Sequence, residues 1–131
     1  MRLLAAVPDS VLWLLARNDI GADHLRREAA ARGIAPTRLV FAPVVAPAEH
    51  LARHRLADLF LDAYPCGAHT TASDALWAGL PVLTCAGRSF VSRVAGSLLH
   101  AVGLPELVTS SLADYESLAL AFARDSAALA E

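Results

Sequence analysis

The sequence predicts an α/β fold in which a parallel β-sheet is flanked by helices. Short apolar runs alternate with longer amphipathic stretches along most of the chain, which is the pattern of βαβ units. The apolar runs are continuous rather than alternating, as in strands covered on both faces. Glycines follow three predicted helices, at Gly33, Gly79 and Gly103, where a chain reversal favours a residue free to adopt positive φ. Because such crossovers are right-handed, the expected arrangement is Rossmann-like.

The predicted elements follow from these signals in chain order. The apolar runs predict strands over residues 11–15, 39–42, 59–61, 81–84 and 107–108. The amphipathic stretches predict helices over residues 21–32, 47–55, 70–77, 89–102 and 112–130. Pro47 suits the first turn of its helix, and Asp114 is a candidate N-cap of the last one. Trp13 and Trp77 are expected in the core.

Length and composition restrict the number of domains and the class of protein. The 131 residues suffice for one domain, so residues 1–131 are predicted to form a single domain. No apolar run reaches the roughly 18–20 residues of a membrane span, and the short apolar stretch at the N-terminus lacks the features of a signal peptide. The net charge of −2 provides no basic surface for nucleic acid or anionic lipid.

The use of basic residues and cysteines predicts the compartment. All eleven basic residues are arginine, which, with the many alanines, favours a bacterial origin. Cys66 and Cys85 have no metal-ligand spacing, so we expect both to be small packing residues in a reducing, cytoplasmic environment.

The loop after the third predicted strand carries most of the chemistry. It runs from Tyr64 through Gly67 into a helix that begins with Thr70 and Thr71. A helix N-terminus offers unpaired N–H groups and partial positive charge, so it suits a phosphate or diphosphate. Asp74 lies one turn later on the same face and is placed to accept hydrogen bonds from a ribose diol.

A simpler interpretation of this loop remains open. Two threonines before a helix often serve only as N-caps, and an aspartate in the first turn often only complements the helix dipole. The chain contains neither the G-x-G-x-x-G pattern of dinucleotide sites nor the P-loop pattern.

A second polar cluster lies on the predicted helix 47–55. His50 and Arg53 are three residues apart and share a face. An imidazole and a guanidinium can stack on, or hydrogen-bond to, a flat heterocycle. The alternative is a solvated polar face. The turn 87–89 after the fourth strand is a weaker candidate for contact with the same ligand, and Arg93 is interpreted as a structural ion-pair residue.

Taken in order, these residues resemble one known family. The combination of His69-Thr70-Thr71, Asp74 three residues later and a Leu-Trp-Ala-Gly segment is the most specific part. The sequence resembles the O-linked N-acetylglucosamine (O-GlcNAc) transferases, including their plant Spindly-type relatives. The likeness also includes Ser10 to Leu15, Arg38 to Phe41, Glu49-His50, Leu56 to Asp58, Leu61-Asp62, Pro81 and Ser92 to Ala95.

The resemblance implies the C-terminal, donor-binding half of a GT-B glycosyltransferase, a hexosyltransferase that moves N-acetylglucosamine from UDP-GlcNAc to Ser and Thr of proteins. By motif match, the diphosphate would be held by His69, Thr70 and Thr71, the ribose by Asp74, and the uracil by His50 and Arg53. Such enzymes need no metal or other cofactor, and the resemblance places no catalytic residue with confidence in this chain.

Departures from the family pattern leave alternatives open. A lysine usual before the His50 position is missing from residues 46–48. The N-terminal half of the catalytic region and the tetratricopeptide helices that bind protein acceptors are not in this sequence. The chain is therefore expected to be inactive without a complementary half. The alternatives are a non-catalytic nucleotide-binding module, a remnant interaction domain, and a relative that uses GDP-fucose.

Overall fold

The computed structural model describes residues 1–15 and 18–125. Its internal contacts divide the chain into two compact units, Met1–Ala46 and Pro47–Glu131. The expectation of a single domain over residues 1–131 stays a prediction beside this division. Within the described residues, no helix is both long and apolar enough to cross a membrane.

The first unit is a two-stranded parallel sheet with two helices. Leu12 pairs with Leu39 and Leu15 with Ala42, and a buried apolar cluster forms around Ala29 and Leu39. Its elements are α1 (Arg2–Ala6), β1 (Leu12–Leu15), α2 (Asp19–Ala31) and β2 (Leu39–Ala42), with a 3₁₀ turn at Pro36–Arg38.

Two expectations for this unit need correction. Helix α2 begins at Asp19 rather than at residue 21, because the Asn18 side chain caps it by accepting the Gly21 N–H at 2.7 Å. The strands are not buried on both faces, since Leu15 and Val40 are each more than a third exposed. A sheet of only two strands offers its outer positions little cover.

The second unit contains a three-stranded parallel sheet in the order β3-β4-β5. Phe60 of β3 pairs with Val82 of β4, and Thr84 of β4 pairs with Val108 of β5. The predicted α/β class with parallel strands and flanking helices is therefore confirmed. The elements are α3 (Pro47–Arg53), β3 (Phe60–Leu61), α4 (Thr70–Trp77), β4 (Val82–Cys85), α5 (Val94–Ala101), β5 (Val108–Thr109) and α6 (Leu112–Arg124).

The core of the second unit lies around its central strand. All four residues of β4 are buried, as expected of a parallel strand flanked on both sides. The helices cover it mainly with small residues, which allow close approach. The buried cluster consists of Ala72, Ala75, Leu80, Val82, Ala95, Leu99 and Leu107.

Glycines end the helices as the sequence indicated. Gly33, Gly79 and Gly103 follow α2, α4 and α5 with φ of 73°, 81° and 82°, in the left-handed region that favours glycine.

Several boundaries of the second unit differ from the prediction. Helix α3 ends at Arg53 and continues as a 3₁₀ turn, His54–Leu56. The predicted helix 89–102 is a 3₁₀ turn, Phe90–Ser92, followed by α5. Helix α6 is capped by Ser111, not by Asp114. Residues 126–130 of the predicted last helix lie outside the described part of the chain.

The burial of three side chains can be compared with the core expected from the sequence. Trp77 is 85% exposed, so its prediction as a core residue is wrong. On α4 the buried face carries Ala72 and Ala75, and position 77 lies about 200° around the helix from position 75. Cys85 is buried as expected, whereas Cys66 is exposed.

Candidate functional site

The most polar part of the second unit is the start of α4. The helix begins at Thr70, and His69 is its N-cap residue but makes no side-chain capping hydrogen bond. His69, Thr70 and Thr71 are all exposed. Because the two threonines lie inside the first turn, they are not the N-cap pair of the simpler interpretation. The first N–H groups of a helix have no acceptor within it, so this end can receive an anion.

Asp62 holds the loop that leads to this helix. Its side chain follows β3 directly and is only 7% exposed. One carboxylate oxygen accepts the Ala68 N–H at 2.6 Å, and the other accepts the Thr84 hydroxyl of β4 at 2.6 Å. A buried carboxylate whose two oxygens both accept hydrogen bonds is well satisfied. It fixes the residue immediately before His69 to the sheet.

Gly67 completes the packing of this loop. Its N–H donates to the Val91 carbonyl at 2.9 Å. A Cβ at this position would lie 2.9 Å from an Asp62 carboxylate oxygen and 3.1 Å from the Val91 carbonyl oxygen. Gly67 therefore lets the loop approach Asp62 and the turn after β4 closely.

The support behind Asp62 extends across the sheet. The Tyr115 hydroxyl of α6 donates to the Asp62 carbonyl at 3.0 Å. Burial, then the charges of Asp62 and Cys85, raise the pKa of Tyr115 well above its usual range, so the phenol stays a neutral donor. The Thr109 hydroxyl of β5 donates to the Thr84 carbonyl at 3.0 Å. Strands β4 and β5 and helix α6 thus all brace the residue that positions the loop.

A second part of the site lies on α3. The Arg53 guanidinium donates to His50 Nδ1 at 2.8 Å, and His50 Nε2 lies 4.0 Å from an Asp74 carboxylate oxygen. Since Nδ1 accepts a hydrogen bond, the proton of a neutral imidazole lies on Nε2, the nitrogen closer to Asp74. The His54 ring meets the His50 ring edge-on, with centroids 4.6 Å apart.

The surroundings of His50 favour the neutral imidazole over the protonated one. Burial, and then the nearby His54 and Arg53, lower the pKa of His50, against the opposing effect of Asp74. The His50 ring lies 4.0 Å from the Asp74 carboxylate. We interpret it as a contact between a carboxylate and a neutral imidazole, because Arg53 occupies the nitrogen that a second proton would need.

The structure therefore brings the predicted residues together in one unit. Asp74 lies on the same helix as Thr70 and Thr71, one turn further on, and contacts His50. Sequence reasoning missed the part played by Asp62. The available signal was an acidic residue directly after a strand, at the carboxyl end where α/β sheets bind ligands.

The turn after β4 lies beside the same loop. The Phe90 ring meets the His69 ring edge-on at 5.9 Å, and a Cβ on Gly87 would lie 3.2 Å from the Tyr64 ring. Arg93 donates to the Gly87 carbonyl at 3.3 Å, so the structure gives it a backbone partner instead of the expected carboxylate. Across the described residues, no group of three or more His, Cys, Asp or Glu side chains is arranged to hold a metal ion.

The fold and the loop define a class of protein. A polar loop at the carboxyl end of a parallel strand, leading into a helix N-terminus, is an arrangement found where α/β proteins bind ligands. The model of glycosyl transferase family 41 matches residues 1–131. The chain belongs to glycosyl transferase family 41.

Individual relatives agree with this assignment. The chain is 43% identical over 130 residues to a UDP-N-acetylglucosamine–peptide N-acetylglucosaminyltransferase of Caenorhabditis elegans, covering 99% of this chain and 11% of that protein. It is 42% identical over 122 residues to SEC of Arabidopsis thaliana, named as a probable enzyme of the same activity, covering 92% of this chain and 12% of that protein. The resemblance inferred from the sequence is thereby confirmed.

A solved structure confirms the fold over nearly the whole chain. A mutant of the Thermobaculum terrenum O-GlcNAc transferase superposes with a TM-score of 0.93 at 34% identity, covering 98% of this chain and 25% of that one. The chain thus spans about an eighth or less of the length of these two relatives and a quarter of this solved structure.

Proposed function

We propose that this chain binds the UDP part of UDP-GlcNAc and forms the donor-binding portion of a protein O-GlcNAc transferase. The observation that carries the proposal is the exposed start of α4, preceded by a loop that Asp62 holds in place. The same helix carries Asp74, which contacts His50. Membership of the family supports the choice of ligand.

In this proposal the diphosphate occupies the N-terminus of α4. The unpaired N–H groups and the helix dipole attract an anion. His69, Thr70 and Thr71 are exposed there, and their side chains add donors. Hydrogen bonds to a charged phosphate are stronger than those between neutral groups.

The nucleoside is assigned to the other part of the site. The Asp74 carboxylate is half-buried and is proposed to accept hydrogen bonds from the two ribose hydroxyls. The base is proposed to lie against His50 and Arg53. The contact between these two side chains gives the imidazole a fixed orientation, which suits a flat ligand. A guanine in place of uracil, as in GDP-fucose, is the competing donor.

The proposed reaction transfers a sugar to a protein hydroxyl. The bond between the anomeric carbon and the diphosphate oxygen breaks, and a bond from that carbon to a Ser or Thr oxygen forms. UDP leaves with the bonding electron pair, and the proton of the acceptor hydroxyl passes to a base that we assign to the complementary half. Charge that develops on the leaving diphosphate would be stabilised by the α4 N-terminus and its side-chain donors. We propose that no metal is required, which predicts that UDP binding is unchanged by a chelator.

We also propose that the remaining groups come from a complementary N-terminal half. The chain covers only 11% of one full-length relative, and a transferase cleft needs groups that face the donor from the acceptor side. Purified chain is therefore expected to bind UDP without transferring sugar to a peptide. Transfer by the purified chain alone would contradict this part of the proposal.

The proposal is tested by calorimetric titration of the chain with UDP and with GDP. His69→Ala and Asp74→Ala should each weaken UDP binding by about 10-fold or more, since a hydrogen bond to a charged group contributes about 1.5–3 kcal/mol. His100→Ala is the matched control, because His100 is an exposed histidine on α5 that bonds only its own helix.

Each outcome has a distinct meaning. Selective binding of UDP that both substitutions weaken supports the proposal. Preference for GDP would indicate the GDP-fucose alternative. Absence of binding to either nucleotide by folded chain would favour a remnant interaction domain, or a site that requires the complementary half.

A further inference from the structure

Phe90 is an exposed aromatic residue beside the candidate diphosphate site. It is 79% exposed, and its ring meets the edge of the His69 ring at 5.9 Å, with an interplanar angle of 85°. Burial in the core of the second unit therefore does not account for this side chain. Its position next to the N-cap residue of α4 requires another explanation.

The turn that carries Phe90 is held firmly. The Val91 carbonyl accepts the Gly67 N–H at 2.9 Å, and the Ser92 carbonyl accepts the Gly87 N–H at 3.2 Å. The Ser92 hydroxyl donates to the Ser89 carbonyl at 2.8 Å, and Ser92 is buried. These bonds join the turn to the loop before α4 on one side and to the end of β4 on the other. Phe90 is thus presented at a defined place rather than on a free loop.

The site residues form an ordered series, joined by contacts and by their positions on α4. Arg53 bonds to His50, which lies next to Asp74, and Asp74 is one turn beyond the start of α4. His69 precedes that start and contacts Phe90. The series therefore runs from the base-binding candidates, through the ribose and diphosphate candidates, to an exposed aromatic ring.

A nucleotide sugar has the same linear order of parts. Its base is followed by the ribose, the diphosphate and the sugar. If the base lies at the His50 end and the diphosphate at the start of α4, the sugar extends past His69 toward Phe90. Aromatic rings bind the flat apolar faces of other groups through dispersion and electrostatic contact, and a pyranose ring has such a face of C–H groups.

We propose that Phe90 contacts the donor sugar and is a specificity-determining residue of the site. It would pack against the apolar C–H face of a pyranose attached to the nucleoside diphosphate. This inference rests on the proposed function, because it assumes that the nucleotide occupies the site in the stated direction.

The test compares two ligands that differ only by the sugar. UDP and UDP-GlcNAc are titrated into the wild-type chain and into Phe90→Ala, Phe90→Tyr and Trp77→Ala. Phe90→Ala should weaken UDP-GlcNAc binding about three- to ten-fold, the range expected of one aromatic contact, and leave UDP binding unchanged. Phe90→Tyr keeps the ring and should restore binding. Trp77→Ala, a second exposed aromatic residue that is 85% exposed at the far end of α4, should change neither affinity.

Other results would overturn the inference. If Phe90→Ala weakens both ligands equally, Phe90 acts by orienting His69 and has no contact with the sugar. If it weakens neither, the ring is unrelated to the donor. If the wild-type chain binds neither ligand, the proposed function itself fails, which is a different result from a selective effect on one ligand. Circular dichroism of each variant confirms that the exposed substitution leaves the fold intact.

Discussion

Replacing Asp62 with alanine should strongly destabilise the second unit. Its carboxylate accepts the Ala68 N–H and the Thr84 hydroxyl, each at 2.6 Å. A hydrogen bond to a charged group contributes about 1.5–3 kcal/mol, and its loss leaves buried donors unsatisfied. We therefore expect Asp62→Ala to lower the free energy of unfolding by about 3–5 kcal/mol. Because small domains are stable by only about 5–15 kcal/mol, much of the variant could unfold under mild conditions.

Asp62→Asn separates geometry from charge. The asparagine oxygen can still accept the Ala68 N–H, and its amide can donate to the Thr84 oxygen after that hydroxyl rotates. We expect a smaller loss of about 1–2 kcal/mol, since the two hydrogen bonds persist without charge assistance. UDP affinity should fall more in Asp62→Ala than in Asp62→Asn, because only alanine releases the residue that precedes His69.

The assay is urea unfolding followed by far-UV circular dichroism, with UDP titration at a temperature where each variant is folded. Asp58→Asn is the matched control, because Asp58 is an exposed carboxylate just before β3 and its change should be within about 0.5 kcal/mol. The reasoning would be refuted if the free energy of unfolding of Asp62→Ala were within about 1 kcal/mol of the wild-type value, or if Asp58→Asn were as destabilising as Asp62→Asn.

Three further predictions concern neighbouring contacts. Gly67→Ala places a Cβ 2.9 Å from an Asp62 oxygen and should cost about 1–3 kcal/mol in urea unfolding; an unchanged midpoint would contradict the packing described. Burial raises the pKa of Tyr115, so its contribution to stability is complete below about pH 10 and is lost as pH rises above that value. Tyr115→Phe should make the loss of stability at alkaline pH less steep. An identical pH profile would exclude Tyr115 as a source of that loss. Burial lowers the pKa of His50, so the contribution of the neutral ring to stability is present above about pH 6.5 and is lost as pH falls. NMR should show a neutral ring protonated at Nε2. Arg53→Met should raise the pKa of His50, whereas an unchanged pKa would argue against the Arg53 contact.

The helix at the centre of the site could be predicted from the sequence almost completely. Residues 70–77 were predicted as a helix and form α4 with the same bounds, because Gly79 ends the helix and the alanines mark its buried face. The strand over residues 39–42 was predicted equally well. In both cases the signals lie within a few residues of one another, so local patterns were sufficient.

The contacts that organise the site could not be predicted in this way. The Asp62–Thr84 hydrogen bond joins the ends of two strands, and it depends on the parallel register that pairs Leu61 with Leu83. Sequence patterns show strands but not their register. The prediction that Trp77 is buried was wrong for a related reason. Its aromatic character indicated burial, whereas its position on α4 faces away from the core.

The neutral state of His50 affects how the proposed site would attract its ligand. Because Arg53 donates to Nδ1, the imidazole carries no positive charge near neutral pH, and it lies beside the Asp74 carboxylate. The nearby Asp62 carboxylate, which accepts two hydrogen bonds, is itself negative and therefore opposes rather than attracts an anion. The Arg53 guanidinium keeps its positive charge but is assigned to the base in the proposed site. We therefore expect attraction for a diphosphate to come mainly from the N-terminus of α4 and the donors on His69, Thr70 and Thr71. It follows that the position of this helix end, set by Asp62 and Gly67, governs nucleotide affinity more than the total charge of the site does.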